Sequence, residues 1–218
     1  VEIPARAPEK QSPVRVELHL TTEQQAATRA MDENCIRDVN LYLYGDTEYH
    51  FYFPSVSSPL VFNVLPGNYR SYAIANAGQD LGDKNAFKIQ FYETAVDVME
   101  SSDAIPMTDR GTLAVDGAGR CTPSSLRVTR SAAKIAYTIE VADAVAPSLR
   151  LRSVQFCNLP LTIRPFDSGS ISSTVEANYY DGEAMPVGNE RRTAGTAYLF
   201  ENLQGSVDTI TDQKDKCP

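Results

Sequence analysis

Polar and apolar residues alternate along much of the chain. Val14, Val16, Leu18 and Leu20 are separated by Arg15, Glu17 and His19, the period of two that marks a strand with one buried face. A second strand is predicted over 36–44, stopped by Gly45 and Asp46. The aromatic run 49–53 predicts a third, ended by Pro54, and 60–65 a fourth. Pro66-Gly67 carries the residues of a type II turn, with proline presetting φ and glycine accepting a positive one. Residues 60–76 therefore read as a hairpin. Tyr69, Ser71, Ala73 and Ala75 fall on one face of its second arm, and Arg70, Tyr72 and Ile74 on the other.

From 83 to 99 the period changes. Phe87, Phe91, Ala95 and Val98, widened by Ile89, Tyr92 and Val96, recur at helical spacing. Asp83 is the expected N-cap, so one amphipathic helix on a sheet is predicted. Extended pieces follow at 105–107 and 113–115. The Gly-, Pro- and Ser-rich stretch 116–125, DGAGRCTPSS, is the best domain boundary. Beyond it Leu126 and Val128 share one parity, and Ile135, Tyr137, Ile139 and Val141 the other, which predicts a bulge between 130 and 133. Leu149 and Leu151 give way in the same manner to Val154 and Phe156. Residues 167–195 read as a long polar loop, 196–200 as a last strand and 206–218 as a polar tail. The expected fold is all-β, with two β-sandwiches in series. An N-terminal tail, 1–13, precedes a sandwich over 14–122 that carries the helix, and a second sandwich covers 123–218.

The chain has 218 residues, 42% of them hydrophobic, enough apolar material for two cores of about 100 residues each. A net charge of −8 leaves no basic footprint for nucleic acid. No stretch approaches the roughly 20 apolar residues of a membrane helix. The prolines and charges of 1–13 read as the tail of a mature chain and not as a signal peptide. Cys35, Cys121, Cys157 and Cys217 form no CxxC pair. Three disulfide pairings stay open beside buried or free thiols.

No enzyme signature is present: GxSxG, the P-loop, GxGxxG and HExxH are all absent. His19 lies on a polar strand face and His50 among aromatic residues, and no nucleophile assembles around either. A paired-acid hydrolase would need two carboxylates converging in one cleft, which no local feature supplies. Asp80, Asp83 and Asn85 bring oxygen ligands together but lack the closing Glu of a calcium loop. No catalytic, cofactor-binding or metal-binding residue is therefore nominated. Tyr42, Tyr44, Tyr49 and Tyr52 could stack on a sugar, although such side chains more often half-bury on a sheet. An exposed row of them would make the chain a surface glycan-binding protein, the alternative reading.

The first strand is the most suggestive element. A loop of about fourteen residues, Arg29 among them, separates it from the second strand. It need not pair with its sequence neighbour, and it fits a sheet edge where a strand from another molecule could replace it. Burying Val14, Val16, Leu18 and Leu20 would contribute roughly 6–12 kcal/mol as an upper estimate.

Six segments occur in an order with a family counterpart. They are CIRDVNLYLYG (35–45), VLPGNYRSYAIANAGQDL (64–81), AIPMTD (104–109), SLRVTRSAAKIAYTIEV (125–141), LRSVQFCNLPL (151–161) and TAYLFENLQG (196–205). The set resembles the fimbrillin family of Bacteroidales, the subunits of type V pili, and most of all its minor or anchor-type members. The resemblance spans most of 14–205. It implies two transthyretin-like β-sandwich domains and export as a lipoprotein, with the lipidated cysteine just before Val1. The place implied is the fimbrium at the cell surface and outer membrane. The partners implied are other fimbrial subunits and, through adhesion, host proteins or glycans. In such proteins an Arg-specific protease removes the first strand, and a C-terminal strand of the next subunit fills the groove; anchor subunits cap the base uncleaved. By that resemblance Val14, Val16, Leu18 and Leu20 form the exchangeable strand and Arg29 is the candidate cleavage point. The sequence departs from the family after 205, where only SVDTITDQKDKCP follows. The chain is therefore expected to be cut short, leaving the second sandwich incomplete and no C-terminal donor strand visible in these residues, and the alternative is a glycan-binding lipoprotein built from similar sandwiches.

Overall fold

A computed structural model describes residues 11–22, 35–82, 92–93, 105–157, 159–160, 162–163, 166 and 179–200. Among them lie sixteen strands and no helix. In chain order they are β1 (Val14–Thr22), β2 (Val39–Tyr44), β3 (Glu48–Phe53), β4 (Leu60–Val64), β5 (Gly67–Ala75), β6 (Tyr92–Glu93), β7 (Met107–Val115) and β8 (Cys121–Thr122). There follow β9 (Ser125–Arg130), β10 (Ala132–Glu140), β11 (Leu151–Val154), β12 (Leu159–Pro160), β13 (Thr162–Ile163), β14 (Tyr179–Tyr180), β15 (Met185–Glu190) and β16 (Arg192–Phe200). The chain divides into two compact units. The first takes its described residues from 11–22, 36–82 and 109–129, and the second takes the rest from 35 onward.

The first unit is built on one eight-stranded sheet in the order β3-β2-β5-β7-β9-β1-β4, with β8 added on β7. The sheet nearly closes on itself: Phe51 and Phe53 of β3 pack on Phe62 of β4, with ring centroids 4.9 and 6.5 Å apart. Strands β1 and β4 keep the alternation of their sequences, with Val16, Leu18, Leu60, Phe62 and Val64 buried and the residues between them exposed. Strand β2 is buried along its whole length. Its Val39, Leu41 and Leu43 share a face with Ala73 and Ser71 of β5. Its other face, Asn40 and Tyr42, is covered by the chain at 79–82.

The second unit is described in paired ribbons. Strands β10 and β16 run antiparallel from Ala132 against Phe200 to Glu140 against Arg192. Strands β11 and β15 pair with a register shift between Leu151 and Ser153, where the change of parity predicts a bulge. Strand β12 pairs with β14, and β13 with β6. Tyr137 lies opposite Gly195, the one residue with no Cβ to meet its hydroxyl, and its ring meets Phe156 edge-on at 5.7 Å.

Several expectations are corrected. Residues 60–76 do not form a hairpin, because β4 pairs with β1 whereas β5 lies between β2 and β7. The chain at 65–66 arches from one part of the sheet to another. Its Leu65 is held by side chains instead of a cross-turn bond, with the Leu65 N–H donating to Tyr49 Oη and the Tyr69 hydroxyl donating to the Leu65 carbonyl. Gly67 is not among the residues with positive φ. The helix predicted over 83–99 is not seen in its two described residues, which form β6; the rest of it lies outside the described residues. The parity change at 130–133 is a change of partner sheet, not a bulge: β9 ends at Arg130, and among the described residues β10 pairs with β16 alone. Residues 116–125 are a turn and strand starts within the first unit, which runs on to Thr129. Within 167–195, β14, β15 and the start of β16 are strand. The run Met-Pro-Val-Gly-Asn-Glu of β15 has no apolar alternation to announce it.

Candidate functional site

The proposed exchangeable strand is the best-defined site of the first unit. Strand β1 changes partner along its length. Val14 to Leu18 pair antiparallel with β4, Val16 lying against Phe62 and Leu18 against Leu60. His19 to Thr22 pair parallel with β9, Leu20 lying against Leu126 and Thr22 against Val128. The expected sheet edge is thus corrected: β1 is interior, and β4 ends the sheet. Val16 and Leu18 are 0% exposed, while Val14 and Leu20 are half-buried. Two of the four apolar side chains are therefore fully sequestered, contributing about 3–6 kcal/mol by burial. Leu60, Phe62, Val64, Leu126 and Val128, all buried, line the slot that β1 fills.

The polar residues of β1 face outward. Arg15 and Glu17 form an ion pair at 3.1 Å, both more than half exposed, and such pairs contribute little. His19 Nδ1 lies 3.4 Å from Ser58 Oγ. The Thr21 hydroxyl donates to the Leu126 carbonyl at 3.2 Å, tying β1 to β9. A shallow groove of about 530 Å³, lined by Arg15, Glu17, Gly119, Arg120 and Cys121, runs beside the strand. Arg29, the candidate cleavage point, lies outside the described residues.

A second constellation was not anticipated. Asp38 and Asn40, buried polar residues at the start of β2, hold the loop 76–82 against the sheet. Asp38 accepts the Ala77 and Gly78 N–H groups, each at 3.0 Å. Asn40 Oδ1 accepts the Leu81 N–H, and Asn40 Nδ2 donates to the Gln79 carbonyl. The Tyr42 hydroxyl donates to the Gly82 carbonyl at 3.0 Å. His50 Nε2 sits 3.1 Å from Asn40 Oδ1 and 3.7 Å from Asp80, its ring stacked on Tyr42 at 4.4 Å. Burial pushes the Asp38 carboxyl above the usual carboxylate range, and the two N–H bonds pull part of the way back. The one sequence signal was polar residues at i and i+2 in an otherwise apolar strand, and it named no partner.

These groups hold the loop 76–82 against the sheet, with Asn40 Oδ1 within hydrogen-bond distance of His50 Nε2. Among the described residues no cluster of three or more His, Cys, Asp or Glu could hold a metal ion. The tyrosine row of the alternative reading is not an open platform. Tyr42 is 1% and Tyr44 8% exposed, stacked on each other at 6.4 Å, while the Tyr49 ring packs on Phe51. Cys121 and Cys157 are free thiols, and Cys217 lies outside the described residues.

The chain matches no protein-family model and no curated protein sequence. Its fold is similar to those of several solved structures. A candidate cell adhesion protein from Bacteroides eggerthii aligns with a TM-score of 0.53 and 12% identity, over 90% of this chain and 72% of that one. A candidate cell adhesion protein from Parabacteroides distasonis aligns at 0.55 and 9%, over 91% and 73%. A candidate adhesin from Bacteroides ovatus aligns at 0.51 and 11%, over 91% and 70%. At these identities the likeness is one of fold, and it agrees with the fimbrillin resemblance of the sequence.

Proposed function

We propose that the chain is a structural, non-enzymatic subunit of a cell-surface fimbria, assembling or anchoring by β-strand exchange at the slot of β1 and supporting adhesion. One observation carries the reading. Strand β1 is an interior strand joined to the next strand through 23–38, and it fills a slot with ladder partners on both sides. A replacement strand entering that slot would meet β4 along one part and β9 along the other. It would bury two apolar side chains where Val16 and Leu18 now sit. Each ladder bond would add about 0.5–1.5 kcal/mol. The adhesion-protein fold supports the same reading. So does the burial of Tyr42 and Tyr44, which removes half of the tyrosine row that glycan binding would use.

On this reading the partners are other fimbrial subunits, with host proteins or glycans met through adhesion. The subunit is a lipoprotein at the outer membrane, and its two units are transthyretin-like sandwiches. Arg29 is the point at which an Arg-specific protease frees β1 in a subunit that polymerises, and a base-capping subunit keeps β1 uncut. The test is limited Arg-specific proteolysis of the folded protein followed by a labelled peptide with the sequence of 14–22. Cleavage at Arg29, loss of β1 and uptake of the peptide are expected, with a peptide carrying Asp at positions 16 and 18 left unbound. A cut protein that neither loses β1 nor takes up the peptide, from cells whose isolated filaments also lack the chain, would falsify the reading.

A further inference from the structure

We propose that the turn from Asp116 to Cys121 is a latch that holds β1 in its slot and that Gly119 is the point where it closes. The latch rests on the reading of β1 as the exchanged strand, and it says what must move first.

The two edges of β1 are held differently. On one side Val14 to Leu18 have the full antiparallel ladder of β4. On the other side only His19 to Thr22 have a strand, β9. The His19 N–H donates to the Ser124 carbonyl at 3.0 Å. Odd-numbered backbone groups of β1 therefore point away from β4, and at Arg15 and Glu17 they meet the turn instead of a ladder. The Cys121 thiol donates to the Glu17 carbonyl at 3.3 Å. Gly119 comes so close to the Arg15 carbonyl that a Cβ there would lie far inside van der Waals contact distance of the oxygen and 3.2 Å from its carbon. Gly119 also has φ +79°, a conformation that L side chains rarely adopt. The obstructing atoms are backbone, so no rotamer change relieves them; β1 or the turn has to shift.

The turn can move as a body. Asp116 Oδ1 accepts the Ala118 and Arg120 N–H groups, both at 2.9 Å, and Oδ2 accepts Arg120 Nε at 2.8 Å. The Gly119 N–H donates to the Asp116 carbonyl at 3.0 Å. Gly117, Ala118 and Arg120 are exposed. Lifting the turn off β1 breaks one thiol bond and one close approach, and it uncovers no buried apolar side chain of its own. What it uncovers is the backbone edge of Arg15 to Glu17, which a second strand could then use.

Hydrogen exchange on the whole chain, read residue by residue, tests this. The amides of Val16 and Leu18 face β4, and those of Leu41 and Ala73, paired across β2 and β5, serve as references in the same unit. In Gly119→Ala the Val16 and Leu18 amides are expected to exchange at least 10-fold faster, with the references within twofold of the parent. Asp116→Ala, which dissolves the turn without adding a clash, should act in the same direction and decides the matter if Gly119→Ala does not fold. Equal acceleration of all four amides, or none at Val16 and Leu18, overturns the latch. No filament or partner enters this measurement. A protein that shows the selective acceleration yet never exchanges a strand leaves the latch standing and sinks the fimbrial reading alone.

Discussion

Strands β1 and β10 are both nine residues long and carry the same alternation, yet only one is sealed. Val16 and Leu18 of β1 are fully buried, whereas Ile135 and Ile139 of β10 are 38% and 36% exposed. The difference lies across the ladder. Val16 and Leu18 face Phe62 and Leu60. Ile135, Tyr137 and Ile139 face Ala197, Gly195 and Thr193, side chains too small to cover them. Leu149, at 54% exposure, and Met185 add to the open apolar surface of the second unit. A period of two marks a face that can be buried; the residues opposite decide whether it is.

The sharpest way to break this comparison is to truncate one residue on each strand. Leu18→Ala should lose about 2–5 kcal/mol of unfolding free energy. Ile139→Ala should lose about 1 kcal/mol or less, since much of its side chain already meets water. Denaturant unfolding of each variant, followed separately in the two units, measures both. Equal losses would mean that exposure on β10 says nothing about how it is held.

Asn40→Ala sharpens the contrast from the other face of the first unit. It strands the Leu81 N–H and the Gln79 carbonyl and removes a neighbour of His50. A loss of about 1–3 kcal/mol is expected, with faster exchange at the Leu81 amide than at Leu41. If Leu81 exchanges as in the parent, the loop 76–82 is held by Asp38 and Tyr42 without Asn40.

How much of this was legible in the sequence follows from how far each signal reaches. The alternation of 14–20 and 60–65 located β1 and β4 to within two residues, because burial on one face is a local pattern. Their pairing was not local. Pro66-Gly67 announces a reversal but cannot say which sheet receives the chain. The helical spacing of 83–99 was a real periodicity, but Tyr92 and Glu93 pair with Ile163 and Thr162 across about seventy residues, and no short window contains that partner. At the site, the inward set of β1 was readable, with Val16 and Leu18 central. The turn that guards its edge was read as a linker, because Gly119 answers to Arg15 more than a hundred residues away. The Asp38–Asn40 staple was hidden for the same reason.

Ser71 offers a smaller test inside the sealed unit. It sits opposite Leu43 on the buried face of β5, and its hydroxyl has no hydrogen-bond partner among the described residues. Leaving a buried hydroxyl unpaired is unfavourable. Ser71→Ala should therefore raise stability by about 1 kcal/mol, read as a shift of the denaturant midpoint without a change in slope. A loss of similar size would show that the hydroxyl is satisfied, for instance by water.

The smallest expected effect separates two carboxylates of the first unit by sign. Asp38 is buried, and its pKa in the folded chain is raised above 3.8, first by desolvation. The folded state then holds this proton more tightly than the unfolded one. The Asp38 contribution to stability falls as pH rises from about 3.8 through the folded value, and at neutral pH the full penalty of the buried charge is present. Asp116 is the opposite case, lowered first by its bond from the Arg120 backbone N–H. Its contribution is complete above 3.8 and is lost as pH falls through the folded value. Comparing unfolding free energies of the parent, Asp38→Asn and Asp116→Asn across the acid range isolates the two. Asp38→Asn should lack a component that declines with rising pH, and Asp116→Asn one that climbs. Two components of the same sign would mean that the hydrogen bonds from Ala77 and Gly78 outweigh burial at Asp38, and the staple would then hold its loop most firmly with the carboxylate charged.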